Sequence, residues 1–187
     1  MWMLGIVVAG FFAGAIPFGF LIARRRGLNI KEHGSGNIGA TNVARVLGAR
    51  VGLIVLLLDA AKGAIPTFLA MHYCGWPEII AATGAAAILG HCFSPFLAGK
   101  GGKGVATSFG VFLVIAPSLA GLAVLAFVVI WRITRVPALG SLAGSAALSA
   151  LFIARGQTEF TLLACATTAL LVYTHRSNLA KLTNPRE

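Results

Sequence analysis

The sequence predicts an all-α, polytopic integral membrane protein with seven transmembrane helices, and three observations support this. Of the 187 residues, 58% are hydrophobic and 11% are charged, whereas soluble domains are about 45–50% apolar and about 25% charged. A chain this short cannot bury so much apolar surface in one water-facing core. The apolar residues also form unbroken runs rather than the alternating pattern of membrane β-strands, so the spans are expected to be helical.

Seven apolar runs are candidate spans within a single domain over residues 1–187. The segment 105–131 is ambiguous, because Pro117 makes it either one kinked span or two short ones. Each half is only about 18–21 Å long at 1.5 Å per residue, against a hydrocarbon core of about 30 Å. The seven runs are Leu4–Ala23, Val51–Met71, Ile79–Ala98, Val105–Ala116, Ser118–Trp131, Leu139–Ala154 and Phe160–Tyr173.

The distribution of basic residues favours seven spans over six. The chain has 15 Lys and Arg residues against 5 Asp and Glu. Seven spans place 13 of the basic residues on one face and Arg155 alone on the other, with Lys62 inside a span, whereas six spans give 9 against 5. The positive-inside rule therefore predicts an outside N-terminus and a cytoplasmic C-terminus. Membrane orientation and anionic headgroups account for the positive charge, so the partner is the lipid bilayer and not nucleic acid. No obligate protein partner is evident.

The first polar segment of interest is the loop 34–42, which reads GSGNIGATN and is followed by Arg45. Its glycines permit turns in which successive N–H groups form an anion-binding nest. Ser35, Asn37, Thr41 and Asn42 add side-chain donors. The Lys-Ser/Thr of a nucleotide-binding P-loop is absent after Gly39. A flexible linker remains the alternative for this loop taken alone.

Two further polar segments are expected on the same cytoplasmic face. Residues 90–104 read GHCFSPFLAGKGGKG and lead into the fourth span, so glycines, lysines and a helix N-terminus coincide, which suits a phosphate. His175 and Asn178 are three residues apart at the end of the last span, on one helical face. Alternatively, the lysines of residues 90–104 serve only to set membrane orientation, and His175 only caps a helix at the membrane interface. Asp59 and Lys62 lie inside the second span and are expected to form a structural ion pair.

These residues point to the handling of phosphate-bearing anions at the membrane surface. Clustered carboxylates or histidines for a metal-dependent hydrolase are absent from the sequence, so no metal or cofactor is expected. From the residues alone, an enzyme and a transporter of phosphorylated anions are about equally well supported. A structural scaffold would leave both glycine-rich segments unexplained.

Three motifs resemble the bacterial acyl-phosphate:glycerol-3-phosphate acyltransferase family, the PlsY type. They are SGNIGATN at 35–42, GHxFSPF followed by KGGKGVAT at 90–107, and HRxN at 175–178. The resemblance covers essentially the whole chain. It implies transfer of a fatty acyl group from acyl phosphate to the 1-hydroxyl of glycerol 3-phosphate, giving lysophosphatidic acid and inorganic phosphate at the cytoplasmic face of the bacterial inner membrane. This is the first step of phospholipid biosynthesis.

The resemblance and the donor chemistry together give the expected site. Lys103 and Arg45 would bind phosphate, His175 and Asn178 would orient the acceptor, and the acyl chain would lie beside the small residues of the third and sixth spans. The resemblance also implies Ser141, although Ala138 replaces the usual first serine of that motif. The predicted catalytic residues are Ser35, Arg45, Lys103, His175 and Asn178. The predicted phosphate-binding residues are Ser35, Gly36, Asn37, Gly39, Thr41, Asn42, Arg45, Lys100, Gly101, Gly102, Lys103 and Ser141.

Overall fold

A computed structural model describes residues 2–183, and these fold entirely through helices and connecting loops. The all-α prediction is therefore confirmed. Two short 3₁₀ helices cover Ile30–Glu32 and Pro95–Leu97. The α-helices of the described residues are α1 (Trp2–Ala15), α2 (Phe18–Arg24), α3 (Ala40–Leu47), α4 (Ala49–Tyr73), α5 (Pro77–Cys92), α6 (Val105–Ile115), α7 (Pro117–Thr134), α8 (Pro137–Arg155), α9 (Thr158–Thr174) and α10 (Arg176–Thr183).

Five helical stretches within residues 2–183 are long and apolar enough to cross a membrane. They are Trp2–Arg24, Ala49–Tyr73, Pro77–Leu97, Pro117–Thr134 and Pro137–Arg155. The break at Pro117 is confirmed, because α6 ends at Ile115 and α7 begins at Pro117. Helices α6 and α9 are apolar but only 11 and 17 residues long. The count of seven crossing helices stays a prediction.

The first apolar run is broken in its middle, which the sequence interpretation missed. Pro17 has no N–H to continue a helix, and α1 ends at Ala15 while α2 begins at Phe18. The carbonyls at the break accept hydrogen bonds from side chains of α4 and of the loop after α5, as an apolar environment requires. Lys62 Nζ donates to the Ile16 carbonyl at 2.7 Å, and Ser94 Oγ donates to the Ala15 carbonyl at 2.6 Å.

Glycines bring the helix backbones into direct contact. Gly14 of α1 faces Ala87 of α5, and a methyl group on it would lie 2.0 Å from the Ala87 carbonyl oxygen. Gly110 of α6 faces Ala60 of α4 in the same way, at 1.9 Å. Close packing of this kind holds helices together where apolar burial gives no net advantage over lipid. Side chains at these glycines would force the helices apart.

The last three long helices form an antiparallel series. Gly140 and Gly144 near the start of α8 pack against Phe127 and Ala123 of α7, respectively, so the two helices run in opposite directions. Ser149 of α8 shares a hydrogen bond of 2.9 Å with Thr168 of α9. Thr161 of α9 donates to the Phe152 carbonyl of α8, so α8 and α9 are also antiparallel.

Two short helices were not predicted, and both carry residues of the candidate site. Helix α3 continues directly from the glycine-rich loop, so Ala40–Asn42 are helical rather than part of a nest. Helix α10 extends beyond the HRxN motif to Thr183, so the start of the C-terminal tail is helical. Arg186, which was counted among the basic residues of the cytoplasmic face, lies outside the described residues.

Candidate active site

The glycine-rich loops, the end of α9 and helix α10 line one cavity, called the polar cavity below. Its volume is about 470 Å³. It brings together parts of the chain separated by more than a hundred residues, as the grouping of the three motifs predicts. The polar cavity is lined by Lys31, Ser35, Gly36, Asn37, Ile38, Lys100, Gly101, Lys103, Thr174, Arg176, Ser177, Asn178 and Lys181.

The lining of the polar cavity is strongly cationic. Four lysines and Arg176 contribute to it, and none of the residues that line it is an Asp or Glu. The Arg176 guanidinium packs on the Tyr173 ring, 4.2 Å from its centroid, and donates to the Tyr173 carbonyl. A cavity with cations and no opposing carboxylate attracts phosphate-bearing anions. Residues 2–183 contain no cluster of three His, Cys, Asp or Glu side chains able to hold a metal ion.

Lys103 is the most constrained cation of the polar cavity. Its carbonyl accepts a hydrogen bond from Thr174 Oγ1 at 3.0 Å, which ties the loop to the end of α9. Its ammonium donates to Asn178 Oδ1, so two predicted catalytic residues meet directly. Burial lowers the pKa of Lys103 below the usual 10.5, because removing water destabilises the charged form.

His175 lies behind the polar cavity rather than in its lining. The ring is buried, and its Nδ1–H donates to the Leu171 carbonyl at 2.8 Å, which fixes the tautomer. Burial and the nearby Lys103 charge lower the pKa of His175 below 6.5, although the bond to Leu171 opposes this. His175 is therefore neutral at physiological pH. It is also adjacent in sequence to two residues that line the cavity, Thr174 and Arg176.

The loop 34–42 is organised by the side chain of Asn42. The Asn42 amide accepts from the Ser35 N–H at 2.9 Å, and it donates to the carbonyls of His33 and Asn37. The Gly39 N–H likewise donates to Asn37 Oδ1 at 2.8 Å. Two amides of the predicted nest are thus committed to the fold. Ser35 and Asn37 still line the polar cavity, whereas Asn42 and Gly39 support the loop.

The second glycine-rich loop is also bonded to the protein itself. The N–H of Gly101 donates to the Cys92 carbonyl at 3.1 Å, and that of Gly102 donates to the His91 carbonyl at 3.0 Å. The Lys100 N–H donates to the Leu97 carbonyl. These three N–H groups are therefore bonded within the fold, and phosphate binding by Gly101 and Gly102 stays a prediction. The side chains of Lys100 and Lys103 line the cavity.

Besides Gly39, Asn42, Gly102 and His175, three more predicted site residues lie outside the lining of the polar cavity. Arg45 is exposed on α3, and no hydrogen bond or ion pair joins it to another described residue. Thr41 is one helical turn earlier and lines a different cavity, as does Ser141 of α8. The Ser141 hydroxyl donates to the Pro137 carbonyl at 3.0 Å. Of the predicted phosphate-binding residues, six thus line the polar cavity, two line the second cavity, and Gly39, Asn42, Arg45 and Gly102 line neither.

The second cavity, called the apolar groove below, has a volume of about 540 Å³ and a lining dominated by apolar side chains. Small residues of the sixth apolar run contribute to it, as predicted for an acyl site. Those of the third run do not, because α5 uses them to pack against α1 and α6. The groove is lined by Ala40, Thr41, Ala44, Gly52, Leu53, Leu56, Val105, Ala106, Ser108, Phe109, Phe112, Ala120, Ala123, Val124, Phe127, Ser141, Gly144, Ser145, Leu148, Ala164, Thr167, Thr168 and Leu171.

The polar cavity and the apolar groove adjoin along three separate elements. The lining passes from one to the other between Ile38 and Ala40, between Lys103 and Val105, and between Leu171 and Thr174. A molecule with an anionic head and a long apolar chain can therefore occupy both at once. The reacting centre of such a molecule would lie at their boundary.

Some residues of the polar cavity were not predicted as site residues. Lys31 and Lys181 were interpreted only as charges that set membrane orientation, and Thr174 was not considered. One signal was available for Lys181, since it is three residues beyond Asn178 and so shares its helical face. Lys31 had no comparable signal, because only tertiary packing brings the first loop to the end of α9.

Comparisons with known proteins agree with this geometry. The model of the family described as glycerol-3-phosphate acyltransferase matches residues 4–185. A glycerol-3-phosphate acyltransferase of Myxococcus xanthus is 44% identical over 185 residues, which are 97% of this chain and 96% of the relative. One from Aquifex aeolicus is 38% identical over 189 residues, covering 100% of this chain and 98% of the relative.

Two crystal structures of PlsY, an integral membrane glycerol 3-phosphate acyltransferase, have the same fold. The glycerol 3-phosphate form matches with a TM-score of 0.95 and the lysophosphatidic acid form with 0.93. Each is 36% identical in sequence and covers 100% of this chain and 94% of the crystallised chain. With the motifs, the cationic cavity and the adjoining apolar groove, these matches show that the chain belongs to the PlsY-type glycerol-3-phosphate acyltransferase family.

Proposed function

We propose that the protein transfers a fatty acyl group from acyl phosphate to the 1-hydroxyl of glycerol 3-phosphate. The products are 1-acylglycerol 3-phosphate, which is lysophosphatidic acid, and inorganic phosphate. The observation that carries this proposal is the junction of a cationic polar cavity with an apolar groove. The phosphate groups of both substrates fit the polar cavity. Only the donor and the acylated product carry a fatty chain that requires the apolar groove.

The polar cavity supplies positioning and charge rather than a covalent intermediate. Acyl phosphate is a mixed anhydride whose acyl carbon is already activated. Holding the acceptor hydroxyl within about 3.5 Å of that carbon therefore provides much of the rate enhancement. Lys103 is placed to stabilise the departing phosphate or the oxyanion of the tetrahedral intermediate, because Asn178 and Thr174 fix it at the cavity wall.

The attacking hydroxyl must lose a proton as the carbon–oxygen bond to the acyl group forms. The departing phosphate can accept that proton when its own bond to the acyl carbon breaks, which balances the reaction. His175 is the protein alternative, since it is neutral and close to Lys103. Its position behind the cavity lining favours an orienting role.

The same proposal includes seven membrane passes with the polar cavity at the cytoplasmic side. The loops that follow α2 and α5, the residues just before α6 and the end of α9 all contribute to the lining of this cavity. The antiparallel order of α7, α8 and α9 then places the start of α8 at the same end. The exposed basic residues Arg24–Arg26, Arg132 and Arg135 lie at or just beyond the ends of helices that run toward it. The positive-inside rule assigns this end to the cytoplasm of a bacterial inner membrane.

Phosphate release by the purified protein tests the function. The protein in lipid is given palmitoyl phosphate and glycerol 3-phosphate, separately and together, with palmitoyl-CoA as a parallel donor. We expect phosphate release and lysophosphatidic acid only when acyl phosphate and acceptor are combined. Equal product from palmitoyl-CoA would contradict the donor assignment. Absence of product from folded protein would point to transport of phosphorylated anions, to be measured as flux into liposomes.

A further inference from the structure

A buried polar network crosses the bundle outside both cavities. It consists of Asp59 and Lys62 on α4, His91 on α5 and Thr107 on α6, all at most 5% exposed. Asp59 Oδ1 lies 2.8 Å from Lys62 Nζ and 3.8 Å from His91 Nδ1. Thr107 Oγ1 and His91 Nδ1 are hydrogen-bonded at 3.0 Å. None of the four residues lines the polar cavity or the apolar groove.

The network is costly where it lies. Ionisable side chains inside a membrane bundle need partners to offset the loss of water, and breaking a buried pair is strongly unfavourable. Asp59 Oδ1 has no hydrogen bond of good geometry beyond its ion pair. The Lys62 ammonium also donates a hydrogen bond to the Ile16 carbonyl at the helix break. That contact gives Lys62 a structural role, but it does not explain why Asp59, His91 and Thr107 lie side by side.

The His91 ring contacts both ends of the short segment that carries Lys103. A methyl group at Gly102 would lie 2.1 Å from His91 Nε2, so the glycine rests directly against the ring. On the other edge of the ring, Nδ1 bonds to Thr107. The His91 carbonyl also accepts from the Gly102 N–H. Lys103 is therefore held between two points that a single imidazole supports.

We propose that His91 is a positioning residue for Lys103, held in place by its hydrogen bond to Thr107 and packed beside the Asp59–Lys62 pair. The ring fixes the positions of Gly102 and of the start of α6. These two positions together place the Lys103 ammonium at the wall of the polar cavity. Reacting groups must be held within about 0.5 Å by a rigid supporting shell. Only a glycine fits against the ring at position 102, since any Cβ there would overlap it. This inference rests on the proposed role of Lys103 in phosphate binding.

His91→Ala tests the inference, with Thr83→Val as the matched control. Thr83 is an equally buried polar residue of α5 whose hydroxyl bonds within its own helix, and it contacts neither the loop nor a cavity. We expect His91→Ala to lower kcat/KM at least about tenfold, with a raised KM for at least one phosphate-bearing substrate. Hydrogen exchange should also become faster at the amides of residues 101–106. Thr83→Val should stay within twofold of wild type on both measurements.

A purely structural role would give a different result. Loss of folded protein lowers Vmax in proportion but leaves KM and the loop exchange of the remaining folded fraction unchanged. That pattern, or kcat/KM within twofold of wild type, would overturn the inference. If His91→Ala does not fold, the isosteric Thr107→Val is judged by the same two measurements, with a smaller expected loss of about threefold.

Lys103→Ala, measured in parallel, separates the inference from the function on which it rests. Normal turnover by Lys103→Ala would overturn the proposed phosphate site itself. Lost turnover by Lys103→Ala beside normal turnover by His91→Ala would overturn only the positioning role.

Discussion

The polar cavity and the apolar groove adjoin, yet they are built in opposite ways. The polar cavity is formed by loops and helix ends, and its cations project from three distant parts of the chain. The groove is formed by α3, the first turns of α4, and helices α6 to α9, where most lining residues differ little from those that face lipid. Short sequence motifs therefore supply most residues of the polar cavity, whereas the groove is formed by the packing of helices. The two cavities should accordingly respond differently to substitution.

The largest expected effect is loss of the central cation of the polar cavity. Lys103→Ala should lower turnover by about 10²–10³-fold, because a charge aimed at the transferred group is removed from a partly desolvated site. Phosphate release with saturating palmitoyl phosphate measures it. Arg155→Ala, at the end of α8 away from both cavities, is the control and should behave as wild type. A loss below threefold in folded Lys103→Ala would remove this residue from the mechanism.

Arg45 tests whether the catalytic site extends beyond the polar cavity. It lies on the face of α3 that carries Thr41, at the groove rather than in the polar lining. Arg45→Ala is expected to reduce turnover at least about tenfold, as loss of a bidentate phosphate ligand would. Arg50→Ala removes another exposed arginine at the same end of the bundle. Equal losses in the two variants would mean that general surface charge, and not a phosphate contact, is responsible.

The groove should affect chain length and not the phosphate chemistry. Ala164 is buried at the inner end of the groove, beside Phe112 and Leu148. Ala164→Leu should lower kcat/KM about tenfold for palmitoyl phosphate, since each methylene that is not buried costs about 0.8 kcal/mol. With butyryl phosphate the variant should stay within twofold of wild type. Ala146→Leu, at an exposed position of α8, is the control, and equal losses with both donors would contradict a chain-binding groove.

Replacing His175 should have a moderate effect if the departing phosphate accepts the proton. His175→Ala is expected to reduce turnover several-fold, because the ring orients its neighbours from behind the cavity. His72→Ala, at the far end of α4, serves as the control in the same phosphate-release assay. Complete inactivity of a folded His175→Ala protein would instead indicate a protein base.

The smallest change expected is in the pH profile. The pKa of Lys103 is lowered by burial, so its positive charge is lost at a lower pH than that of an exposed lysine. Activity that depends on this charge should therefore fall as pH rises through a value below 10.5. In Lys103→Arg the alkaline fall should vanish from the measurable range, because arginine stays protonated there. The pH dependence of kcat/KM, which reports the free enzyme, measures it, and an unchanged alkaline limb would contradict the assignment.

The sequence predicted much of the polar site because its chemistry is local. Glycines beside lysines and polar side chains within an apolar chain have few structural explanations, so Ser35, Lys103 and Asn178 could be selected directly. The use of the backbone amides could not be predicted in the same way. Whether the Gly101 and Gly102 N–H groups face a ligand or the end of α5 depends on how the loop folds back, and a glycine-rich sequence permits both.

The groove and the helix break could not be predicted for a related reason. In a membrane protein, residues that face lipid and residues that face another helix are both apolar, so hydropathy does not distinguish them. Gly84 and Ala87 were expected beside the acyl chain, yet they pack against other helices. The break at Pro17 was missed, and the side chains that stabilise it, Lys62 of α4 and Ser94 of the loop after α5, come from distant parts of the chain.

The sequence by itself determined the helical membrane class, the three phosphate-directed motifs and the family, since these depend on composition and on short runs of residues. The tertiary structure decided which amides are free, which small residues line a groove, and that Lys31, Lys103 and Lys181 share one cavity. The physical reason is the range of the interactions. Hydropathy and turn chemistry act between neighbours in the chain, whereas hydrogen-bond satisfaction and backbone contact in an apolar medium are settled only when distant helices pack together.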